Sequence, residues 1–159
     1  MNPSSTSAPD RTFSYWEQKS FLFQRDLIVV GAGIVGLSAA YFYKQNFPTH
    51  SVAVIDRELI PKGASSRNAG FACFGSVTEL VDDEANMSQD EMLALVEKRW
   101  KGLNLLRSLL GDQNIDYQNR GGFEVFREST AEQWELVQNH YERLNQLLKP
   151  IVGTSDIFR

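Results

Sequence analysis

Residues 26–56 read DLIVVGAGIVGLSAAYFYKQNFPTHSVAVID, and this stretch decides the fold. Residues 27–30 form a short, continuous apolar run, as expected for a parallel strand that is covered on both faces. From Ile34 an alanine-rich, apolar segment predicts a helix that ends just before Pro48. Residues 51–56 form a second, β-branched run. The pattern therefore predicts an α/β fold built on a strand–helix–strand unit with a parallel sheet.

The turn between the first predicted strand and the helix fits the pattern G-x-G-x-x-G. Gly31 allows the tight turn, Gly33 lets a pyrophosphate approach the backbone, and Gly36 lets the helix pack close to the sheet. The free N–H groups and the dipole at the helix start would attract a diphosphate. The candidate binding residues of the motif are Gly31, Ala32, Gly33, Ile34, Val35 and Gly36.

Asp56 ends the second predicted strand about twenty residues after Gly36, where a carboxylate bonds the ribose hydroxyls of a dinucleotide. A carboxylate at this place would repel a 2′-phosphate, which argues against NADP. The spacing predicts a dinucleotide-binding site and leaves FAD and NAD open. The alternative is a glycine-rich turn in an unrelated α/β protein.

The loop that follows is rich in glycine, serine and asparagine, PKGASSRNAGFACFGS over residues 61–76. Its hydroxyl and amide groups can bond a ligand, its glycines allow close backbone approach, and Arg67 can offset phosphate charge. The loop is therefore a candidate for ligand binding, and an ordinary surface loop is the alternative.

Three stretches together resemble the FAD-dependent oxidoreductases of the D-amino-acid oxidase, glycine oxidase and sarcosine oxidase superfamily: DLIVVGAGIVGLSAAY, VAVIDR and GASSRNAGF. The resemblance implies FAD as cofactor and a Rossmann-like FAD-binding unit, followed by the beginning of an α+β substrate domain. Together with the composition of the N-terminal residues, it predicts a tail and short docking helix over 1–25, an FAD-binding part over 26–111, and the start of a substrate-domain hairpin and helix, truncated, over 112–159. Beyond the motif and Asp56, the implied cofactor-binding residues are Arg57, near the adenine, and Ala64, Ser65, Ser66, Asn68, Ala69 and Gly70.

The resemblance also implies a reaction. A hydride would pass from the substrate carbon that bears the amine to flavin N5, giving an imine that hydrolyses, and oxygen would reoxidise the flavin to yield hydrogen peroxide. The substrate would be a small amine or amino acid, and no catalytic residue is identified. The alternatives are a flavin dehydrogenase that passes electrons to a quinone or another protein, an FAD- or NAD-binding module without turnover, and a structural protein with a decayed site.

Enzymes of that superfamily are commonly much longer than this chain. We therefore expect the chain to correspond to their N-terminal half, as a fragment, a truncated gene product or one part of a split enzyme. Its expected partner is the C-terminal half of the same enzyme, and alone it is expected to be inactive.

The remaining sequence predicts further elements. Capping boxes predict three helix starts, at Ser14 with Glu17, at Ser88 with Glu91 and at Ser129 with Glu132. Residues 115–118 and 123–126 flank the turn sequence NRGG and predict a hairpin. Residues 151–159 suggest the beginning of a strand. Trp100 and Trp134 are expected in the core.

Composition excludes several classes of protein. The net charge of −4 provides no basic surface for nucleic acid, and the single cysteine, Cys73, excludes an internal disulfide and is expected to be buried. No metal site is expected, because the acidic residues 82–84 have no spaced co-ligands. His50 and His140 are expected to be structural. A membrane span and a secretory signal are not expected, so the cytoplasm is the expected compartment.

Overall fold

The computed structural model describes residues 13–159, so the predicted tail over residues 1–12 lies outside them. Two compact units are present, the first ending at Ala69 and the second comprising Gly70–Arg159. The elements in chain order are α1 (Tyr15–Ser20), β1 (Leu27–Val30), α2 (Ile34–Asn46), β2 (Val52–Ile55), α3 (Val77–Asn86), α4 (Gln89–Leu110) and α5 (Ala131–Val152). Two one-turn 3₁₀ helices lie at Ala64–Ser66 and Glu128–Thr130. The domain boundaries expected from the sequence stay a prediction.

The first unit contains the strand–helix–strand arrangement that the sequence predicts. Strands β1 and β2 pair in parallel, from Leu27 opposite Val52 to Val30 opposite Ile55, and α2 connects them. Helix α2 ends at Asn46, two residues before Pro48, as expected from the restriction that proline places on the preceding residue. The predicted α/β class with a parallel sheet is confirmed.

One face of this small sheet is exposed. The Val29 side chain lies next to Gly36 and so faces α2. Because side chains alternate along a strand, Ile28 and Val30 project from the other face, and Val30 is 81% exposed. Ile55, the register partner of Val30, is exposed with them. No residue that the structure describes in β1, β2 or α2 is buried.

The N-terminal helix forms, but its predicted docking is not seen. Ser14 and Glu17 make the capping box that the sequence predicts. All six residues of α1 are nevertheless exposed, including Trp16 at 74%. None of residues 13–69 is buried, so the described part of the first unit has no buried core on which so short a helix can pack.

The second unit is a three-helix arrangement with its own core. The fully buried hydrophobic residues come from α3, α4 and α5, namely Val77, Leu80, Met92, Val96, Leu144 and Leu148. The box of Ser88 and Glu91 begins α4, as predicted, and Gly111, with a φ of +80°, ends it. Trp100 is half-buried edge-on against Phe74, whereas Trp134 is 53% exposed, so the core prediction for Trp134 is wrong.

The predicted hairpin is absent. Residues 115–118 and 123–126 form no strand, and Phe123 and Val125 are 94% and 88% exposed. An isolated two-stranded hairpin is marginal in water, and no further strand in the described part of the chain pairs with these segments.

Other local expectations also need correction. The predicted strand at the chain end does not form, because α5 runs through Pro150 to Val152 and the following residues fold back, held by the side chain of Asn145. The predicted box of Ser129 and Glu132 is not used, because a 3₁₀ turn leads directly into α5. Cys73 is exposed rather than buried.

Helix α3 was not anticipated from the sequence, although Ser76 and Glu79 form a capping box at its start. It includes the acidic residues 82–84. Across residues 13–159, no group of metal-binding side chains is clustered and no helix has the length and apolarity to cross a membrane.

Candidate functional site

The glycine loop between β1 and α2 needs glycine at both of its ends. Gly31 adopts a φ of +103°, a conformation that L side chains rarely adopt, and donates from its N–H to the Ile55 carbonyl over 2.7 Å. At Gly36, a Cβ atom would lie 2.1 Å from the carbonyl oxygen of Gly31. Any side chain there would separate the helix from the strand. The tight turn predicted at Gly31 and the close packing of the helix predicted at Gly36 are therefore confirmed.

Gly33 leaves the start of α2 open. It is the N-cap residue of the helix and has no side chain to make a capping bond. A Cβ atom here would lie 3.1 Å from the Ser65 hydroxyl oxygen. An open groove of about 480 Å³ lies along this turn, lined by Val29, Val30, Gly31, Gly33, Ile34, Val35, Gly36, Ala39 and Ser65.

Asp56 is tied to the glycine loop. One carboxylate oxygen accepts the N–H of Ala32 over 2.9 Å, and the other accepts the N–H of Glu58 over 3.1 Å. These two backbone donors, with a smaller contribution from the charge of Arg57, hold the pKa of Asp56 below its usual value. The carboxylate therefore stays ionised beside the loop.

The serine-rich loop reaches the same place through one side chain. The Ser65 hydroxyl accepts the N–H of Ile34, the first residue of α2, over 2.9 Å. Ser66 and Asn68 instead bond within their own loop. The Ser66 hydroxyl donates to the Pro61 carbonyl, and the Asn68 amide donates to the carbonyls of Ala64 and Ser65.

The predicted site residues thus divide into two groups. The glycine loop, Asp56 and Ser65 converge at the start of α2. The others are exposed, namely Arg57, Ala64, Ser66, Asn68 and Ala69. Gly70, with a φ of +74°, begins the second unit. Ala39 also lines the groove but was not among the predicted site residues. The sequence signal for it is a small side chain three residues after Gly36, about one helical turn along α2.

Residues 26–154 match the family model DAO, which describes FAD-dependent oxidoreductases. The chain belongs to this family. Comparisons with curated proteins and with solved structures gave no match. The family membership supports an FAD-dependent oxidoreductase and FAD as its cofactor.

The residues of this FAD-dependent oxidoreductase suit the ADP part of that cofactor. The glycine loop leaves space next to the backbone N–H groups that open α2, which favours a diphosphate. The ionised Asp56 stands at the end of β2, where it can accept hydrogen bonds from ribose hydroxyls. The groove at this turn is therefore the candidate site.

A second groove, of about 620 Å³, lies in the second unit. Its lining comprises residues 123–128 with Ala131 and Trp134. It contains none of the site residues predicted from the sequence.

Proposed function

We propose that the chain binds FAD at the glycine loop, as the FAD-binding portion of an enzyme that oxidises an amine or an amino acid. The observation that carries the proposal is the convergence of the Asp56 carboxylate and the Ser65 hydroxyl on the N–H groups of a glycine loop at a helix start. The substrate class comes from the sequence resemblance to amine and amino-acid oxidases.

Each part of the site has a role in this proposal. The N–H groups of the first turn of α2, other than that of Ile34, which Ser65 accepts, bind the diphosphate, Gly33 leaves it room, and Asp56 holds the adenosine ribose. The bound flavin supplies the hydride acceptor, and oxygen is the proposed final electron acceptor, with a quinone as the alternative. The loop residues Arg57, Ala64, Ser66, Asn68, Ala69 and Gly70 are proposed to lie along the remainder of the cofactor.

The first experiment measures cofactor binding. The purified chain is titrated with FAD, ADP and NAD, and binding of FAD is followed through the visible flavin absorption. We expect FAD to bind and ADP to compete with it, because both place the same diphosphate at the glycine loop.

The variant that tests the site is Gly33→Val, compared with the parent chain. Its branched side chain fills the space that the diphosphate needs, so FAD binding should collapse while the helix content, measured by circular dichroism, is retained. Equal affinity of parent and variant, or no binding of FAD by the parent, would contradict the proposed site.

The second experiment concerns turnover. The exposed apolar side chains of Ile28, Val30 and Ile55 leave one face of the sheet without cover. We infer that further polypeptide of the same enzyme covers this face in the active protein. Residues 1–159 alone should then give no hydrogen peroxide with any amine or amino acid in a coupled assay, and steady peroxide production by them would disprove this inference.

A further inference from the structure

Helix α2 begins differently from α1, α3 and α4, each of which has a serine as its N-cap residue. In α1, α3 and α4, the N-cap residue is Ser14, Ser76 or Ser88, and its hydroxyl accepts an N–H of the first turn. In α2 the N-cap residue is Gly33, which can make no such bond. The first N–H groups of a helix have no partner within the helix and need one from elsewhere.

Ser65 supplies that partner from a distant part of the chain. Its hydroxyl oxygen lies 2.9 Å from the backbone nitrogen of Ile34, the first residue of α2. In sequence the two residues are separated by the rest of the helix and by β2.

Gly33 and Ser65 also depend on each other sterically. A Cβ atom on Gly33 would lie 3.1 Å from the Ser65 hydroxyl oxygen, closer than most real Cβ contacts. The missing side chain at Gly33 therefore makes room for the hydroxyl of Ser65 as well as for a ligand.

The loop that carries Ser65 is held by its own hydrogen bonds. The Ser66 hydroxyl donates to the Pro61 carbonyl over 2.5 Å, and its oxygen also lies 3.2 Å from the carbonyl oxygen of Gly63. The Asn68 amide donates to the carbonyls of Ala64 and Ser65, over 3.0 and 3.1 Å. These bonds fix the backbone on both sides of Ser65, so its hydroxyl is presented to Ile34 from an ordered loop.

From these contacts we infer that Ser65 is a positioning residue. It accepts the N–H of Ile34, the first residue of α2, and thereby caps and fixes the start of the helix, so that the other N–H groups of the first turn are placed for a diphosphate. The ligand part of this inference rests on the proposed function, whereas the capping part concerns the protein alone.

The test measures two quantities in the same variants: the amide exchange rate of Ile34 without ligand, by NMR, and the affinity for FAD and ADP. In Ser65→Ala we expect Ile34 to exchange about fivefold faster, the scale of a lost helix cap, and both ligands to bind about twofold to tenfold more weakly. Ser65→Thr retains the hydroxyl and should preserve both quantities.

A double variant tests whether the protection of Ile34 is specific to Ser65. Adding Gly33→Ser to Ser65→Ala provides a local cap, and removal of the Ser65 oxygen gives the new side chain room. A local N-cap side chain accepts the N–H of the second or third helical residue, Val35 or Gly36, so Ile34 should still exchange fast. FAD and ADP should stay weakly bound because the new side chain occupies their approach.

Unchanged exchange of Ile34 in Ser65→Ala would overturn the capping role. Faster exchange with unchanged ligand affinity would overturn the positioning role and leave a purely structural cap. If the parent binds neither FAD nor ADP, the proposed function fails and the positioning role with it, while the exchange rates still decide the capping role.

Discussion

Asp56 joins two neighbouring turns through a single carboxylate. It accepts one N–H from the glycine loop, at Ala32, and one from the turn after β2, at Glu58. A carboxylate that accepts backbone donors is stabilised in its ionised form, which agrees with its lowered pKa. Asp56 is thus oriented before any ligand is present, and oriented groups lose less entropy on binding.

Replacing Asp56 should weaken FAD binding strongly. In Asp56→Ala both the proposed ribose acceptor and the anchor of the glycine loop are lost, so we expect roughly a tenfold to hundredfold loss of affinity in a titration. Because the pKa of Asp56 is lowered, its charge does not change between about pH 5 and pH 9, and its contribution to binding should be constant over that range.

The control for this change is Glu58→Gln. Glu58 is an exposed carboxylate two residues away, paired with Lys62, and its side chain takes no part in the proposed site. Its loss should leave the affinity unchanged. If Asp56→Ala and Glu58→Gln bind FAD equally well, Asp56 does not contact the ribose.

At the scale of elements, one ion pair joins two helices that are far apart in sequence. Arg143 of α5 donates twice to Glu84 of α3, over 2.8 and 2.5 Å. The Glu84 side chain is mostly buried, whereas that of Arg143 is more exposed. The hydrogen bonds from Arg143 lower the pKa of Glu84. The pair therefore adds a polar link beside the hydrophobic core of the second unit.

Breaking this pair should destabilise the second unit modestly. For Glu84→Gln we expect a loss of about 0.5–1 kcal/mol in the free energy of unfolding, limited by the exposure of Arg143, in urea denaturation at neutral pH. Because the folded-state pKa of Glu84 is lowered, this stabilisation is present above its unfolded-state value and is lost as the pH falls through the folded-state value.

The exposed pair of Lys101 and Glu97 on α4 provides the comparison. Both of its partners lie on one helix and both side chains are exposed, so Lys101→Gln should change stability by less than about 0.5 kcal/mol. An equal loss of stability in the two variants would show that the ion pair between α3 and α5 contributes no more to the free energy of unfolding than an exposed pair within one helix.

The sequence predicts those elements whose signals are local. The strand–helix–strand unit follows from apolar runs, the glycine motif and Pro48, and each is decided within a few residues. Helix α3 also has a local signal, the capping box of Ser76 and Glu79 at its start. The hairpin expected from 115–126 has suitable turn residues, yet a strand pair depends on neighbours that a local pattern does not reveal.

The candidate site was predictable to a similar extent. Gly31, Gly36 and Asp56 follow from spacing, because each acts on the backbone next to it or at a known strand end. The bond between Ser65 and Ile34 depends on the path of a loop over long range, which no periodicity encodes. For the same reason the sequence does not distinguish Ser65, which reaches the glycine loop, from Ser66, which bonds within its own loop.

At the scale of the whole molecule, the two units differ in how they bury apolar residues. The second has six buried hydrophobic side chains shared among three helices. In the first, no described residue of β1, β2 or α2 is buried, and Ile28, Val30 and Ile55 are exposed. Burial of apolar surface is the main favourable term in folding, so the first unit has little intrinsic stability of its own.

A ligand that binds only the folded first unit should therefore stabilise it visibly. At an FAD concentration of one hundred times Kd, linkage predicts about 2.7 kcal/mol of added stability, which corresponds to roughly a hundredfold slower amide exchange. The measurement is hydrogen exchange over Leu27–Val30 and Val52–Ile55, with and without FAD. Gly33→Val is the control, since its strands should exchange at the same rate in both conditions. If FAD leaves the exchange of the parent strands unchanged at saturation, the cofactor does not bind the folded strand–helix–strand unit.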